Sequence, residues 1–212
     1  MPNKEKLNFG IWIELWEKSG AQGDPQPLYW ELNDAYTAKD RYYHNGRHIN
    51  AGWYELKLVI PKPRRPLQLG FAIAGHDFIQ NRDGKDADEI ESANFMYQRL
   101  GEANLPRYFR RDVSKLILVT DHQTLPRNYD EKVSADLDLV VFGKSGEEFD
   151  LYCAGTRMEY KHVPDEVYNS TRVWLLGKFL GRERIYYTDY FKRYEAQARI
   201  NLQREIDRLS NT

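Results

Sequence analysis

Between Leu67 and Ile79 the chain is apolar on nearly every side of a helix, yet the stretch contains His76 and Asp77. A segment without a polar face must be covered all round, which predicts a central buried helix from Leu67 to Gln80 with other helices packed on it. Gln68, His76 and Asp77 interrupt it, and it is too short to cross a bilayer. A buried ionised carboxylate is strongly unfavourable unless it is paired or holds a cation. Asp77 is therefore expected either to cap a helix end that emerges into solvent or to be neutralised inside the protein.

The rest of the chain reads mainly with helical period. Ile11, Leu15 and Trp16 mark a first amphipathic helix ended by Gly20, and Leu28, Leu32 and Tyr36 mark a second. A third begins near Asn45-Gly46 with an apolar stripe of Ile49, Trp53, Leu56 and Ile60, stopped by Pro61-Lys62-Pro63. Beyond the central segment come Glu89 to Leu100, Tyr108 to His122, Glu131 to Phe142, Glu147 to Tyr160, Asp165 to Leu180 and Asp189 to Leu209. Gly, Pro and Asn signals separate them. Ile117-Leu118-Val119 and Leu139-Val140-Val141 have strand composition but sit inside helical patterns. The expected fold class is all-α, a single-domain helical bundle, since 212 residues suit one large domain.

Aromatic residues make up 14%, including 15 Tyr and 5 Trp, so much of the core is expected to be packed rings whose phenol and indole groups need partners. A net charge of -1 gives no overall footprint for nucleic acid or an anionic membrane. Cys153 is the one cysteine, which excludes an internal disulfide and a thiolate zinc site. The opening residues lead into a segment broken by Glu14 and Glu17, neither a secretory core nor a membrane span. A cytoplasmic protein is expected, and the aromatic-rich C-terminal third could furnish a homodimer face.

The five histidines are His44, His48, His76, His122 and His162. His48 flanks the stripe of the third helix, in Tyr42-Tyr43-His44-Asn45-Gly46-Arg47-His48. Downstream, Ala135-Asp136-Leu137-Asp138-Leu139 sets two acids among Val and Leu. Two positions apart on a helix is about 200° of rotation, so both cannot face one centre, and periodicity does not choose between them. His162, in a loop before Pro164, is expected to be exposed.

Taken in order, His, then His-Asp, then Asp on successive helices resembles the HD-domain metal-dependent phosphohydrolases. The chain is similar over nearly its whole length to a subgroup of predicted HD phosphohydrolases with a Tyr-His-Asn-x-x-His motif. The matching stretches are Arg41 to Ile49, Gly75-His76-Asp77, Glu91-Ser92-Ala93, Thr120-Asp121-His122, Asp136 to Leu139, Arg157-Met158-Glu159-Tyr160, and Arg184 to Thr188 followed by Glu195 to Ile206. It departs from that pattern where Gly75 replaces the usual aromatic and where Gln80-Asn81 replaces a Tyr-Asp pair.

The resemblance implies an HD-type bundle over residues 1–212, with a metal-binding core at about 28–143 and C-terminal helices at about 147–210 packed on it. It implies one divalent metal ion per chain, held by His48, His76, Asp77 and Asp138, with Asp136 as the alternative fourth ligand. Two imidazoles and two carboxylates suit Mn, Fe, Co, Ni, Zn or Mg. The expected activity is hydrolysis of a small-molecule phosphate ester, a nucleotide being the analogy from such enzymes, with Asp77 and His76 at the chemistry. Arg41, His44, His122, Lys115 and Arg157 are the candidates for substrate contact, the histidines also for proton donation or support of the ligands. Two rivals stand beside this reading: a two-metal phosphodiesterase, and a helical module that binds metal without catalysis. No Walker loop, Gly-x-Ser-x-Gly elbow or His-Glu-x-x-His motif occurs.

Overall fold

A computed structural model describes residues 5–81 and 88–211. Ten α-helices and three short 3-10 segments make up the described residues, which contain no strand. The fold is all-α and single-domain, as the periodicity predicts.

Helix α1 (Phe9–Ser19) begins where the Asn8 side chain accepts from the Ile11 amide. It ends at Gly20, whose φ of 77° is a left-handed conformation natural to glycine. Helix α2 (Gln26–Tyr36) carries Pro27 in its first turn. Helix α3 (Gly46–Leu58) is capped by Asn45, which accepts from Arg47 N. It stops two residues before the expected last apolar position: Ile60 lies outside the helix and is 69% exposed.

Helix α4 (Pro66–Gly75) is buried from Leu69 to Gly75 and touches α1, α3, α5, α6 and α7. It is the centre of the bundle, but it ends five residues before the expected Gln80. Beyond it the backbone turns to partners from other parts of the chain. Arg41 Nη1 donates to the Asp77 carbonyl at 2.6 Å and Nη2 to the Phe78 carbonyl at 2.7 Å. Ile79 N donates instead to Ser92 Oγ. The backbone groups that would extend the helix are thus satisfied elsewhere.

Helices α5 (Asp88–Glu102) and α6 (Arg107–Leu118) form an adjacent pair on α4. The predicted helix from Tyr108 to His122 tightens into a 3-10 turn at Val119–Asp121, and His122 itself is left-handed at φ 55°. Helix α7 (Tyr129–Asp138) likewise gives way to 3-10 geometry over Leu139–Gly143. Both segments with strand composition are therefore helical, partly in the tighter form. Helix α8 (Gly146–Glu159) opens with a capping box between Ser145 and Glu148. Helix α9 (Asp165–Leu180) follows, and a 3-10 turn at Phe191–Tyr194 precedes α10 (Glu195–Ser210), so the last helix starts six residues later than expected.

The aromatic core meets its polar needs with backbone oxygens. Trp53 Nε1 donates to Gly70 O at 2.8 Å, Trp12 Nε1 to Pro25 O at 3.0 Å, and Tyr36 Oη to Ala74 O at 3.0 Å. Trp12 and Phe71 pack edge to face with centroids 5.5 Å apart. Cys153 is a free, buried thiol. No helix among the described residues is long and apolar enough to cross a membrane.

The Gly75 departure has a packing cause. A Cβ at this position would lie 2.3 Å from Met96 Cγ and 2.7 Å from its sulfur, and Met96 is fully buried. Met96 fills the space that a side chain at 75 would take. Gly75→Ala should lower stability by about 1–3 kcal/mol despite alanine's better helix propensity. Combined with Met96→Ala, the two losses should fall short of additive. A Gly75→Ala melting temperature at or above wild type would show that Met96 yields freely.

Candidate metal centre

Four side chains from three helices converge on one point. His48 comes from the first turn of α3, His76 and Asp77 from the end of α4, and Asp138 is the last residue of α7. One ligand atom from each lies within 4.8 Å of all the others, and together they could hold a metal ion. His48 Nε2 and His76 Nε2 are 3.1 Å apart. Asp77 Oδ2 lies 3.0 Å from His76 Nε2 and 3.4 Å from His48 Nε2. Asp138 Oδ1 lies 3.3 Å and 3.4 Å from the same two nitrogens. With bonds of about 2.0–2.2 Å, neighbouring ligands around one cation stand about 3.0–3.5 Å apart, and these spacings fit.

The outer hydrogen bonds fix what these atoms offer. His76 Nδ1 donates to the Ile73 carbonyl at 3.0 Å, so its neutral form turns a lone pair on Nε2 toward the cluster. That lone pair faces another imidazole nitrogen and two carboxylate oxygens. His48 Nδ1 meets the Tyr43 hydroxyl at 3.0 Å, and its Nε2 points inward too. Asp77 Oδ2 is buried without a hydrogen-bond partner. Acceptors converging in a dry site require a proton or a cation between them. Burial depresses the His76 imidazole, but Asp77 and Asp138 outweigh it and hold its pKa well above the usual histidine value. Burial opposes ionisation of Asp77, and His76 and His44 reverse this, keeping its carboxyl well below the usual range. The same charges that retain a proton in the metal-free cluster attract a cation.

The two acids of α7 separate as their rotation requires. Asp138 enters the cluster, whereas Asp136 is fully buried on another face. There it accepts from Tyr187 N and Thr188 N, each at 2.8 Å, and from Thr188 Oγ1 at 2.7 Å. Burial pushes its carboxyl up to about 6 against these three donors. Asp136 thus ties the 184–188 segment to α7 and lies outside the cluster that Asp138 joins.

Two further histidines border the centre. His122 Nε2 meets Asp138 Oδ2 at 2.8 Å. His44 has its ring centroid 6.1 Å from that of His48, and its Nδ1 meets Glu159 Oε2 at 2.6 Å. The other oxygen of Glu159 accepts three consecutive amides, from Tyr42 at 2.7 Å, Tyr43 at 2.8 Å and His44 at 3.0 Å. Burial pulls the His44 pKa down, but the carboxylates of Asp77 and Glu159 more than offset this and raise it. Burial also works against ionisation of Glu159, and His44 overcomes it, so the carboxyl stays below its ordinary value. The outcome is a half-buried imidazole on a buried carboxylate, with Nε2 left as a further donor.

Three candidate cations turn elsewhere. Arg41 is buried and adjacent, but its guanidinium is spent on the carbonyls of His44, Asp77 and Phe78. It shapes the backbone under Asp77 rather than presenting a free fork. Lys115 is exposed on α6. Arg157 bonds Asp165 and the carbonyls of Tyr160 and Val163, closing α8 against α9. Neither Lys115 nor Arg157 belongs to the cluster. His162 is exposed, as expected. Glu159 is the residue that the sequence reading passed over in favour of Arg157, two positions earlier. One signal was available: Gly155 lies one turn before Glu159, and a Cβ there would come within 3.0 Å of Tyr43 Cβ. A glycine at that spot lets α8 approach the His44 loop.

Comparison with protein-family models, curated proteins and solved structures returned no match. The helical fold and the His-Asp cluster are compatible with an HD-type domain.

Proposed function

We propose that this chain is a metal-dependent phosphohydrolase acting on a small phosphate ester, with nucleotides as the first class to test. The observation that carries the reading is the four-residue cluster beside the His44-Glu159 pair. His48, His76, Asp77 and Asp138 would hold one divalent cation. A cation in such a site supplies Lewis acidity toward a phosphoryl oxygen and lowers the pKa of a bound water. Asp77 would orient the attacking water with the oxygen that does not face the histidines. His44 would donate its Nε2 proton to the leaving-group oxygen as the phosphorus–oxygen bond breaks. Glu159 would keep the imidazolium charged and aimed.

The turned-away cations support a second reading. A phosphate substrate usually meets an Arg or Lys, and Arg41, Lys115 and Arg157 offer no free one to the cluster. A metal-binding module without catalysis would need none. Metal content of the purified protein, followed by phosphate release from nucleoside mono- and triphosphates with Mn, Co and Mg, separates the two. The proposal expects about one equivalent of metal and turnover with at least one substrate. Bound metal with no release from any of them would favour the module, and two equivalents a two-metal phosphodiesterase.

A further inference from the structure

Among the described residues His122 is one of two non-glycine residues with positive φ, at 55°, the other being Asn104. A left-handed backbone at histidine is uncommon and persists only where surroundings over-determine it. Here they come from the end of α9. Arg182 Nη2 donates to the His122 carbonyl at 2.9 Å. The Arg182 guanidinium stacks on Phe179 at 4.5 Å, and Phe179 packs edge to face on the His122 imidazole at 5.3 Å. Backbone and ring of His122 are therefore gripped from one bracket.

What the grip sets is the orientation of a ligand. His122 Nε2 takes Asp138 Oδ2 at 2.8 Å, while Oδ1 faces His48 and His76 at 3.4 and 3.3 Å. A carboxylate with one oxygen so engaged presents the other alone. His122 Nδ1 is buried without a hydrogen-bond partner, so Nε2 is the ring atom that engages the carboxylate.

We propose that Arg182 and Phe179 are positioning residues that hold His122 in its left-handed conformation, so that His122 fixes Asp138 to offer one oxygen to the cation. The inference rests on the metal-site reading above, and it gives the C-terminal helices a part in tuning that site. Loss of partners that orient metal ligands typically weakens affinity about 10–100-fold.

The test compares wild type, Arg182→Gln and His122→Gly by titration of the apo protein with Mn or Co, thermal melts and 15N NMR of the imidazoles. Glycine relieves the backbone while removing the ring. His122→Gly should therefore weaken metal binding about 10–100-fold with its melting temperature unchanged or raised. Arg182→Gln should weaken it at least several-fold and move the apo His122 imidazole 15N signals away from their wild-type positions. Metal affinities within twofold of wild type in both variants would overturn the proposal. If wild type takes up no cation, the metal-site reading fails, and the apo NMR arm decides the positioning alone: unchanged His122 15N signals in Arg182→Gln refute it.

Discussion

Asp138→Asn should lose divalent-cation binding and keep its fold, whereas Asp136→Asn should keep the binding and lose stability. The two acids are two residues apart on one helix, so the contrast isolates what each touches. Asp138 faces both ligand imidazoles, and replacing an anionic ligand by a neutral amide removes charge where the cation would sit. Its affinity loss should exceed the ~10–100-fold typical of an outer partner, with the helical circular dichroism spectrum preserved. Asp136 instead receives three donors in a fully buried pocket. An asparagine there turns an NH2 group toward at least one of those donors. The expected loss is about 2–4 kcal/mol at neutral pH, read by urea denaturation. Retained metal in Asp138→Asn, or an unperturbed Asp136→Asn, would contradict the placement of these residues.

The second large effect concerns proton delivery. His44→Gln should lower kcat by about 10²–10⁴-fold while leaving metal content at the wild-type level, because His44 is outside the ligand set. Glu159→Gln should act in the same direction and move the limb of the kcat profile on which activity falls as pH rises. Glu159 raises the His44 pKa after burial has lowered it. Without that carboxylate the imidazole loses its proton at lower pH, so activity should fall off earlier as pH rises. Glutamine also keeps one acceptor for the 42–44 amides, which limits the structural damage. A substrate with a highly acidic leaving group should be hydrolysed by His44→Gln nearly as fast as by wild type. An equal deficit on such a substrate would point to positioning of phosphate rather than to proton transfer.

The parts of this site that sequence alone discloses are those whose signal is local. His76 and Asp77 stand out because they interrupt the most apolar stretch of the chain, and their burial follows from that setting. The end of α4 was not legible, because the Ile79 amide that a longer helix would use is taken by Ser92, 13 positions later. Helical period gives the angle between Asp136 and Asp138 but not the absolute phase. Val133, Ser134, Ala135, Asp136 and Leu137 are all buried, polar and apolar alike, so α7 has no exposed face to orient it. Glu159 was hidden for a related reason. Its partners lie 115 to 117 residues away, and along α8 only Gly155, one turn before it, hints at the close approach. Arg157, by contrast, has the right charge for a phosphate and the wrong surroundings: acceptors at the end of its own helix and the start of the next claim it first.

The carboxylate of Glu159 has a consequence for the order in which the protein becomes competent. All four residues of the cation cluster are in place by residue 138, but the anchor for His44 is at residue 159. Closing so long a loop carries an entropic cost that local helix formation does not. During synthesis, a chain emerging N-terminal end first could assemble its cation ligands before α8 exists to organise the 42–44 turn. Such an intermediate would have the cluster without its proton donor in register, and hydrolysis would begin only when the late helix docks.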